Sequence, residues 1–150
     1  QMRKQKRGRI ICISSVAAVY SIPFQAYYSA SKAAINSFVD ALTNEVKFFG
    51  IEVTSVMPGD ISTGFTAARI KSNAGDDVYS GVIGSAVSAM EKDEKNGMTP
   101  DSVARLVVKL AEKKHVAPLY TAGLQYKTLV FLSRLLPHKL AVKVVGGMYK

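Results

Sequence analysis

Residues 9–57 of the chain are RIICISSVAAVYSIPFQAYYSASKAAINSFVDALTNEVKFFGIEVTSVM. RIICIS (Arg9 to Ser14) is short, apolar and β-branched, which predicts a buried parallel strand. A helical pattern runs from about Gln25 to Phe49, and IEVTSVM (Ile51 to Met57) predicts a second strand. Strand, helix and strand in this order form a βαβ unit. This unit predicts an α/β fold with a parallel sheet and a right-handed crossover.

The helical pattern depends on the spacing of the apolar residues. Apolar residues recur there at spacings of three and four, which places them on one face of a helix. These residues are Tyr28, Ala34, Ile35, Phe38, Leu42 and Val46. Gly50 comes directly after the helical segment, and we expect it to cap the end of the helix.

Beyond the second strand, the chain carries one well-signalled helix and a long apolar tail. Residues 62–97 are polar and contain several glycines, which predicts only irregular helices. TPDSVARLVVKLAEKK, residues 99–114, has the signals of a helix, with Thr99 at the N-cap and Pro100 at the first position. HVAPLYTAG predicts a last extended segment. Residues 124–150 are apolar and basic, and a proline interrupts them.

Composition restricts the classes of protein to consider. The chain has 150 residues, 48% of them hydrophobic, which suits one globular domain. No run of about 18 uncharged apolar residues occurs, so no transmembrane helix is predicted. The single cysteine, Cys12, excludes an intrachain disulfide and favours a reducing, cytoplasmic compartment. The net charge of +9 favours anionic partners, but no nucleic-acid motif and no metal-ligand spacing accompany it, so we predict neither nucleic acid nor metal.

Polar side chains cluster at one expected edge of the sheet. The first strand runs out into Ser14-Ser15, and the second runs out into Met57-Pro58-Gly59. Ligands bind at the carboxyl ends of parallel strands, so these two strand ends should border a ligand. Tyr28 and Lys32 lie in the first two turns of the intervening helix, one above the other on the same face. The pair is therefore expected to point into the same crevice.

The residue types at this edge suit proton transfer to and from an oxygen atom. A phenol is a poor acid at neutral pH, and a neighbouring ammonium group stabilises its phenolate form. A phenol tuned in this way can donate or accept a proton. A nearby serine hydroxyl such as that of Ser15 would hold a carbonyl oxygen in line with that proton. Tyr27 does not replace Tyr28, because its direction on the helix differs by about 100°.

Three motifs, in order and in register, carry a family resemblance. ISS ends the first strand with Ser15, 13 residues before Tyr28, and YSASK contains Tyr-x-x-x-Lys. PGDIST, residues 58–63, matches Pro-Gly-x-Ile-x-Thr. Together they resemble the C-terminal, catalytic half of a short-chain dehydrogenase/reductase, whose domain is a Rossmann-like doubly wound parallel sheet. An extended short-chain epimerase or dehydratase shares Tyr-x-x-x-Lys, but PGDIST fits the dehydrogenases better.

The resemblance implies an NAD(P)-dependent oxidoreductase that interconverts a ketone and a secondary alcohol. It implies that Tyr28 is the general acid and base and that Ser15 orients the substrate oxygen. It also implies that Lys32 stabilises the phenolate and binds the hydroxyls of the nicotinamide ribose. The residues that it implies for binding NAD or NADP are Ser14, Tyr28, Lys32, Pro58, Gly59, Ile61 and Thr63.

The sequence departs from the family in its cofactor half. No glycine-rich turn joins a strand to a helix at the spacing that a dinucleotide needs. We therefore expect residues 1–150 to form a single partial domain, the C-terminal part of the family fold. The isolated chain is expected not to bind NAD(H) or NADP(H) tightly. A partial sheet has an unpaired edge that favours pairing with another chain, and a homo-oligomer is expected.

Residues 124–150 bear on the substrate and on the alternative function. They resemble the C-terminal extension of short-chain dehydrogenases that act on steroids, retinoids or long-chain keto lipids, which predicts an apolar substrate. The same apolar and basic pattern suits a buried or dimer-packing helix, and it also suits peripheral contact with a membrane. The alternative function is a catalytically incomplete segment that binds partners or membranes through this tail.

Overall fold

The computed structural model describes residues 1–72 and 74–149. Its elements, in chain order, are α1 (Met2–Gln5), β1 (Gly8–Ile13), α2 (Ala26–Val46), β2 (Ile51–Met57), α3 (Val82–Lys95), α4 (Pro100–Glu112), β3 (Leu119–Thr121), α5 (Leu124–Leu135) and α6 (His138–Met148). Single turns of 3₁₀ helix at Val16–Ala18 and Lys47–Phe49 lie on either side of α2. Gly50 ends the second of these turns in the left-handed conformation, with φ of 63°, as its sequence position predicted.

The three strands form one parallel sheet in the order β1-β2-β3. The register of β1 and β2 pairs Gly8 with Ile51 and Ile13 with Val56. The predicted βαβ unit and the α/β fold class are therefore confirmed. In the described part of the chain, β1 has a strand neighbour on one side only. This is the edge expected to pair with another chain, and the homo-oligomer stays a prediction.

The apolar stripe of α2 is only partly buried. Phe38 of that stripe is 57% exposed, whereas Val39, which lies outside it, is fully buried. The sheet-facing stripe includes polar residues, because Asn36 accepts a hydrogen bond from the Ser55 hydroxyl and Thr43 donates one to the Val53 carbonyl. Tyr28, Ile35, Leu42 and Val46 of the apolar stripe are partly buried, so the packed face of α2 contains both apolar and polar residues.

Helix α4 covers the sheet with a small apolar core. Val56 of β2 packs with Val103 and Leu110 of α4, and all three are buried. Pro100 opens the helix after Thr99, as predicted, although the Thr99 side chain makes no capping hydrogen bond. The stripe from Val103 to Leu110 follows the helical period and is the reason why this helix lies flat on the sheet.

An ion-pair cluster connects β1, β2 and the end of α4. It lies at the N-terminal ends of the two strands, away from their carboxyl ends. The Arg9 side chain donates to the Glu52 carboxylate and, at 2.5 Å, to the carbonyl of Leu110 at the α4 C-terminus. His115 Nδ1 lies 3.1 Å from the same carboxylate. Burial alone would raise the pKa of Glu52, but the hydrogen bonds from Arg9, His115 and the Val116 N–H outweigh it and lower that pKa below 4.5.

The segment predicted as irregular, residues 62–97, contains a regular helix of 14 residues, α3. Its glutamates hold the preceding loop. Arg69 donates to Glu94 at 2.5 Å, and the Thr66 hydroxyl donates to the other oxygen of Glu94 at 2.6 Å. Lys71 lies 2.7 Å from Glu91. The glycines and polar residues in this segment led sequence reasoning away from α3, although Ala86 and Met90 of this helix are buried.

The apolar tail forms two helices, α5 and α6, which meet at Pro137. Each buries only part of one face. Tyr126 and Val130 are the buried residues of α5, and Val145 is the buried residue of α6. Within the described ranges, no helix combines the length and the apolar character that a membrane span requires.

Candidate active site

The carboxyl ends of β1 and β2 lie side by side, as the parallel arrangement predicted. The N–H of Ser14 donates to the Val56 carbonyl at 2.8 Å, and the N–H of Val16 donates to the Pro58 carbonyl at 2.9 Å. These two bonds continue the ladder beyond the last strand residues. They bring the serines that follow β1 against the proline and glycine that follow β2.

The two serines at this edge make different hydrogen bonds. Ser14 is buried, and its hydroxyl donates to the Lys32 carbonyl at 3.0 Å, which ties β1 to α2. Ser15 is also buried, and its Oγ accepts the N–H of Ala17 at 3.1 Å, which caps the short 3₁₀ turn. The Ser15 hydroxyl proton remains available for a further acceptor. Ser15 can therefore cap the turn and still donate a hydrogen bond to a substrate oxygen.

Tyr28 and Lys32 lie close together on α2 beside the same edge. Lys32 Nζ is 5.6 Å from the centre of the Tyr28 ring. The ammonium group also donates, at 3.1 Å, to the carbonyl of Ile13, which is the last residue of β1. Tyr27 is 94% exposed, in agreement with the prediction that it does not share this face. The helix begins at Ala26, so the pair stands in its first two turns.

Residues 58–63 border the same edge from the side of β2. Ile61 forms an isolated parallel bridge with Met98, which holds this segment against the start of α4. Thr63 Oγ1 accepts the N–H of Phe65 at 3.2 Å, so its hydroxyl proton stays free to donate. Pro58 is buried.

A cavity of about 550 Å³ joins these groups. Its lining includes all of the sequence-predicted site residues, namely Ser14, Ser15, Tyr28, Lys32, Pro58, Gly59, Ile61 and Thr63. The structure therefore brings together the residues that were selected from the three motifs. The size of the cavity suits a small molecule rather than a single ion or water.

The opposite wall of the cavity was not predicted. It is built by the C-terminal helices and consists of Tyr126, Leu129, Leu132, Leu136, Ala141, Val144, Val145, Met148 and Tyr149. Tyr20, in the loop after β1, donates its hydroxyl to the Leu129 carbonyl and fastens α5 over the cavity. A signal for this wall exists in the sequence, because Tyr126, Leu129 and Leu132 recur every three residues. The spacing does not show which surface of the protein these three side chains face.

Carboxylates stand at one end of the cavity. Asp60, Asp93 and Glu94 all belong to its lining. Burial raises the pKa of Asp60, and the charges of Asp93 and Glu94 raise it further, although a hydrogen bond from Tyr126 acts in the opposite direction. Burial and the same Asp60 carboxylate raise the pKa of Tyr126. These two shifts have a common cause, the partly buried contact between Asp60 and Tyr126. The sequence motifs did not indicate this contact.

The donors in the cavity allow a test of whether a nicotinamide dinucleotide fits. Lys32 uses one of its ammonium hydrogens on Ile13 and retains others for ribose hydroxyls. The hydroxyl protons of Ser15 and Thr63 are free to donate, since both oxygens accept backbone N–H groups. These residues fit the nicotinamide and ribose end of the cofactor. The fit extends no further, because the 150 residues contain no glycine-rich turn for the pyrophosphate.

Comparison with known proteins agrees with this geometry. Residues 1–74 match the family described as short chain dehydrogenase. A 3-ketodihydrosphingosine reductase of Bacteroides thetaiotaomicron is 40% identical over 116 residues, which are 76% of this chain and 43% of that protein. The chain belongs to the short-chain dehydrogenase/reductase family. The family resemblance of the three motifs is thereby confirmed.

Two further members of the family extend the similarity beyond residue 74. Dehydrogenase/reductase SDR family member 7B of Xenopus laevis is 37% identical over 136 residues, which are 91% of this chain and 39% of that protein. The crystal structure of a short chain dehydrogenase from Burkholderia cenocepacia in complex with NADP shares the fold, with a TM-score of 0.66 and 19% identity. It matches 93% of this chain and 48% of that one. The chain thus spans less than half the length of each of these short-chain dehydrogenases.

Proposed function

We propose that this protein acts as an NAD(P)-dependent oxidoreductase that interconverts a ketone and a secondary alcohol on an apolar substrate. One observation carries the most weight. Ser15, Tyr28 and Lys32 line one cavity together with residues 58–63, at the carboxyl ends of two parallel strands. Family membership supports the same class of reaction.

The proposed proton chemistry uses three side chains. Tyr28 gives its phenolic proton to the carbonyl oxygen during reduction and takes the alcohol proton during oxidation. The Ser15 hydroxyl, already oriented by the Ala17 N–H, donates to the same oxygen and keeps it in line. Lys32, 5.6 Å from the Tyr28 ring centre, stabilises the phenolate left after proton transfer.

The proposed cofactor is NAD or NADP, and a fold neighbour has been crystallised with NADP. Lys32 would bind the ribose hydroxyls, while Ile61 and Thr63 would border the carboxamide. The nicotinamide, when bound, supplies or accepts the hydride. Ser14 contributes by holding the first turns of α2 through the Lys32 carbonyl, so its cofactor contact would be indirect.

The proposed substrate carries a long apolar chain beside its carbonyl group. The wall formed by α5 and α6 supplies leucine, valine, alanine and methionine side chains along the cavity. A relative at 40% identity is named 3-ketodihydrosphingosine reductase, which supports a keto lipid over a small polar ketone. Apolar side chains lower the free energy of a bound chain roughly in proportion to the area that they remove from water.

A chain-length series tests this substrate class. With the full-length gene product and NADPH, kcat/KM for 3-keto lipids should rise by roughly four-fold per added methylene until the cavity is filled, since each buried CH₂ contributes about 0.8 kcal/mol. Val145→Ser, a change at a residue that is 8% exposed and lines the cavity, should flatten this rise. Val142→Ser on the same helix, at a position 58% exposed, is the matched control. A kcat/KM independent of chain length would contradict an apolar substrate.

A second proposal concerns peripheral membrane contact through residues 124–150. Leu124, Phe131 and Leu135 of α5 are 81%, 61% and 66% exposed. The chain contains no acidic residue after Glu112, while Lys127 and Arg134 lie on the exposed part of the same helix. An exposed apolar face with basic neighbours suits the surface of an anionic bilayer.

Vesicle sedimentation tests the membrane proposal. The protein should pellet with vesicles that contain phosphatidylserine and stay in the supernatant with phosphatidylcholine alone, because the basic side chains favour anionic lipid. The double variant Lys127→Glu and Arg134→Glu should lose most of this pelleting. The control is the double variant Arg3→Glu and Lys4→Glu, which changes the net charge by the same amount at exposed residues of α1. Equal pelleting of the α5 variant and the wild type would reject the proposal.

A further inference from the structure

Tyr126 and Asp60 make a reciprocal contact between α5 and the segment that follows β2. The Tyr126 hydroxyl donates to Asp60 Oδ2 at 2.8 Å and accepts the backbone N–H of Asp60 at 3.0 Å. One phenol therefore satisfies both the carboxylate and the main chain of a single residue. Tyr126 is only 8% exposed, so bulk water cannot easily replace either bond.

The ring of Tyr126 lies where two glycines leave space for it. A Cβ atom on Gly59 would stand 2.1 Å from Cζ of the Tyr126 ring. A Cβ atom on Gly123, which precedes α5 with φ of 83°, would stand 3.0 Å from Cδ2 of the same ring. The ring is thus seated directly on the main chain of the residue before Asp60. No side chain separates α5 from residues 58–63 at this point.

The other side of Asp60 is fixed by the start of α4. The Asp60 carbonyl accepts the N–H of Met98 at 2.8 Å, and the Met98 carbonyl accepts the N–H of Ser62 at 2.9 Å. A Cβ atom on Gly97 would meet the Asp60 carbonyl oxygen at 2.4 Å, which shows how closely the two backbones approach. Residues 58–63 are therefore clamped between Met98 on one side and Tyr126 on the other.

The local charges make the phenol a useful partner for Asp60. Asp93 and Glu94 also line this end of the cavity and repel the Asp60 carboxylate. Glu94 is compensated by Arg69 at 2.5 Å and by Thr66 at 2.6 Å. Tyr126 supplies Asp60 with a hydrogen-bond donor in the same way. Without that donor, a partly buried carboxylate would face two like charges.

We infer that Tyr126 is a positioning residue, which holds residues 58–63 in place through Asp60 and couples them to the C-terminal helices. Asp60 stands between Gly59 and Ile61, two of the residues proposed to border the nicotinamide. The α5–α6 wall, in turn, would hold the apolar chain of the substrate. Through this contact, one phenol sets the distance between the cofactor segment and the substrate wall. The catalytic consequence rests on the proposed function, whereas the structural coupling does not.

Hydrogen–deuterium exchange of the full-length gene product tests the coupling. Tyr126→Phe keeps the ring and removes both hydrogen bonds, so the amides of residues 61–63 and of α5 should exchange about ten-fold faster. Asp60→Ala should produce the same pattern. Asp60→Asn retains an oxygen that can accept from the phenol and should stay near the wild type. Tyr149→Phe removes a phenol oxygen from the same cavity wall and should leave residues 61–63 unchanged.

Kinetics separate positioning from a purely structural role. Tyr126→Phe should raise the KM for the dinucleotide roughly ten-fold, while the pH dependence of kcat, set by the proton-transfer group, keeps its midpoint. Asp60→Ala should show a similar increase in the KM for the dinucleotide, whereas the KM of Asp60→Asn should stay close to that of the wild type. Unchanged exchange at residues 61–63 in Tyr126→Phe would overturn the inference. If Tyr126→Phe exchanges faster but the wild-type protein shows no oxidoreductase activity, the coupling stands and only the proposed function is rejected.

Discussion

Replacing Tyr28 with phenylalanine is expected to lower kcat by roughly 100- to 10,000-fold while leaving the affinity for NAD(P)H nearly unchanged. The change removes only the phenolic oxygen, and with it the proton that the proposed reaction needs. The ring remains beside Lys32, whose ammonium group still bonds the Ile13 carbonyl and keeps its place. Steady-state turnover and fluorescence titration of NADPH, both with the full-length gene product, measure the two effects separately.

The chain provides a closely matched control for this substitution. Tyr27→Phe makes the same chemical change one residue earlier, at a side chain that is 94% exposed and outside the cavity lining. It should leave kcat and NADPH affinity unchanged. A Tyr28→Phe enzyme that turns over at the wild-type rate would remove Tyr28 from the mechanism, whatever else in the site remained correct.

Replacing Gly59 with alanine is expected to destabilise the protein by roughly 1–3 kcal/mol, because overpacking forces buried neighbours to move. The new Cβ would lie 2.1 Å from Cζ of Tyr126, a ring seated on this glycine and hydrogen-bonded to Asp60. Gly59 does not have a positive φ, so the cost arises from packing rather than from backbone strain. The free energy of unfolding in urea measures it.

Two variants distinguish this packing effect from a general sensitivity of the segment. Gly64→Ala lies five positions further on, where a Cβ would meet nothing within 4 Å, and should change stability by less than about 0.5 kcal/mol. Adding Tyr126→Leu to Gly59→Ala makes room for the methyl group and should recover part of the loss. If Gly59→Ala were as stable as the wild type, the contact between α5 and residues 58–63 would be looser than described.

Sequence patterns predicted the framework of the fold because the two sheet-forming strands of the βαβ unit are local and strongly apolar. Ile51–Met57 was predicted with its observed bounds, and Gly50 was recognised as a helix stop from its residue type. The apolar stripe of α2 left out Asn36 and Thr43, which face the sheet through hydrogen bonds. Apolar periodicity does not detect a buried polar residue that has found its partner.

The proposed catalytic residues were predictable for a different reason. Ser15, Tyr28 and Lys32 stand in ISS and YSASK, two of the motifs that carry the family resemblance, so they can be located before any tertiary contact is known. Tyr126 and Asp60 were not found, because 66 residues separate them and nothing local marks either one. Their pairing depends on how α5 returns over the sheet edge, which is a tertiary property that spacing does not encode.

The role of the C-terminal tail illustrates the same limit. Its composition predicted a buried, dimer-packing or membrane-facing helix, and in the structure α5 and α6 each have a cavity-lining face and an exposed face. Leu136 and Val145 line the cavity, whereas Leu124 and Phe131 are exposed at 81% and 61%. An amphipathic sequence shows that two faces differ. It does not show which of them will meet a cavity wall, a second protein or a lipid surface.

The central claim is that this site carries out ketone–alcohol chemistry with a nicotinamide dinucleotide. The most direct measurement is the stoichiometry of the reaction catalysed by the full-length gene product with a long-chain 3-keto lipid and NAD(P)H. We expect one secondary alcohol to form for each NAD(P)H consumed. Replacing Tyr28 with phenylalanine should reduce both alcohol formation and NAD(P)H consumption to roughly one hundredth of the wild-type rate or less. A wild-type protein that binds the dinucleotide but leaves the ketone unreduced at every chain length, and the corresponding alcohol unoxidised with NAD(P)⁺, would contradict the claim.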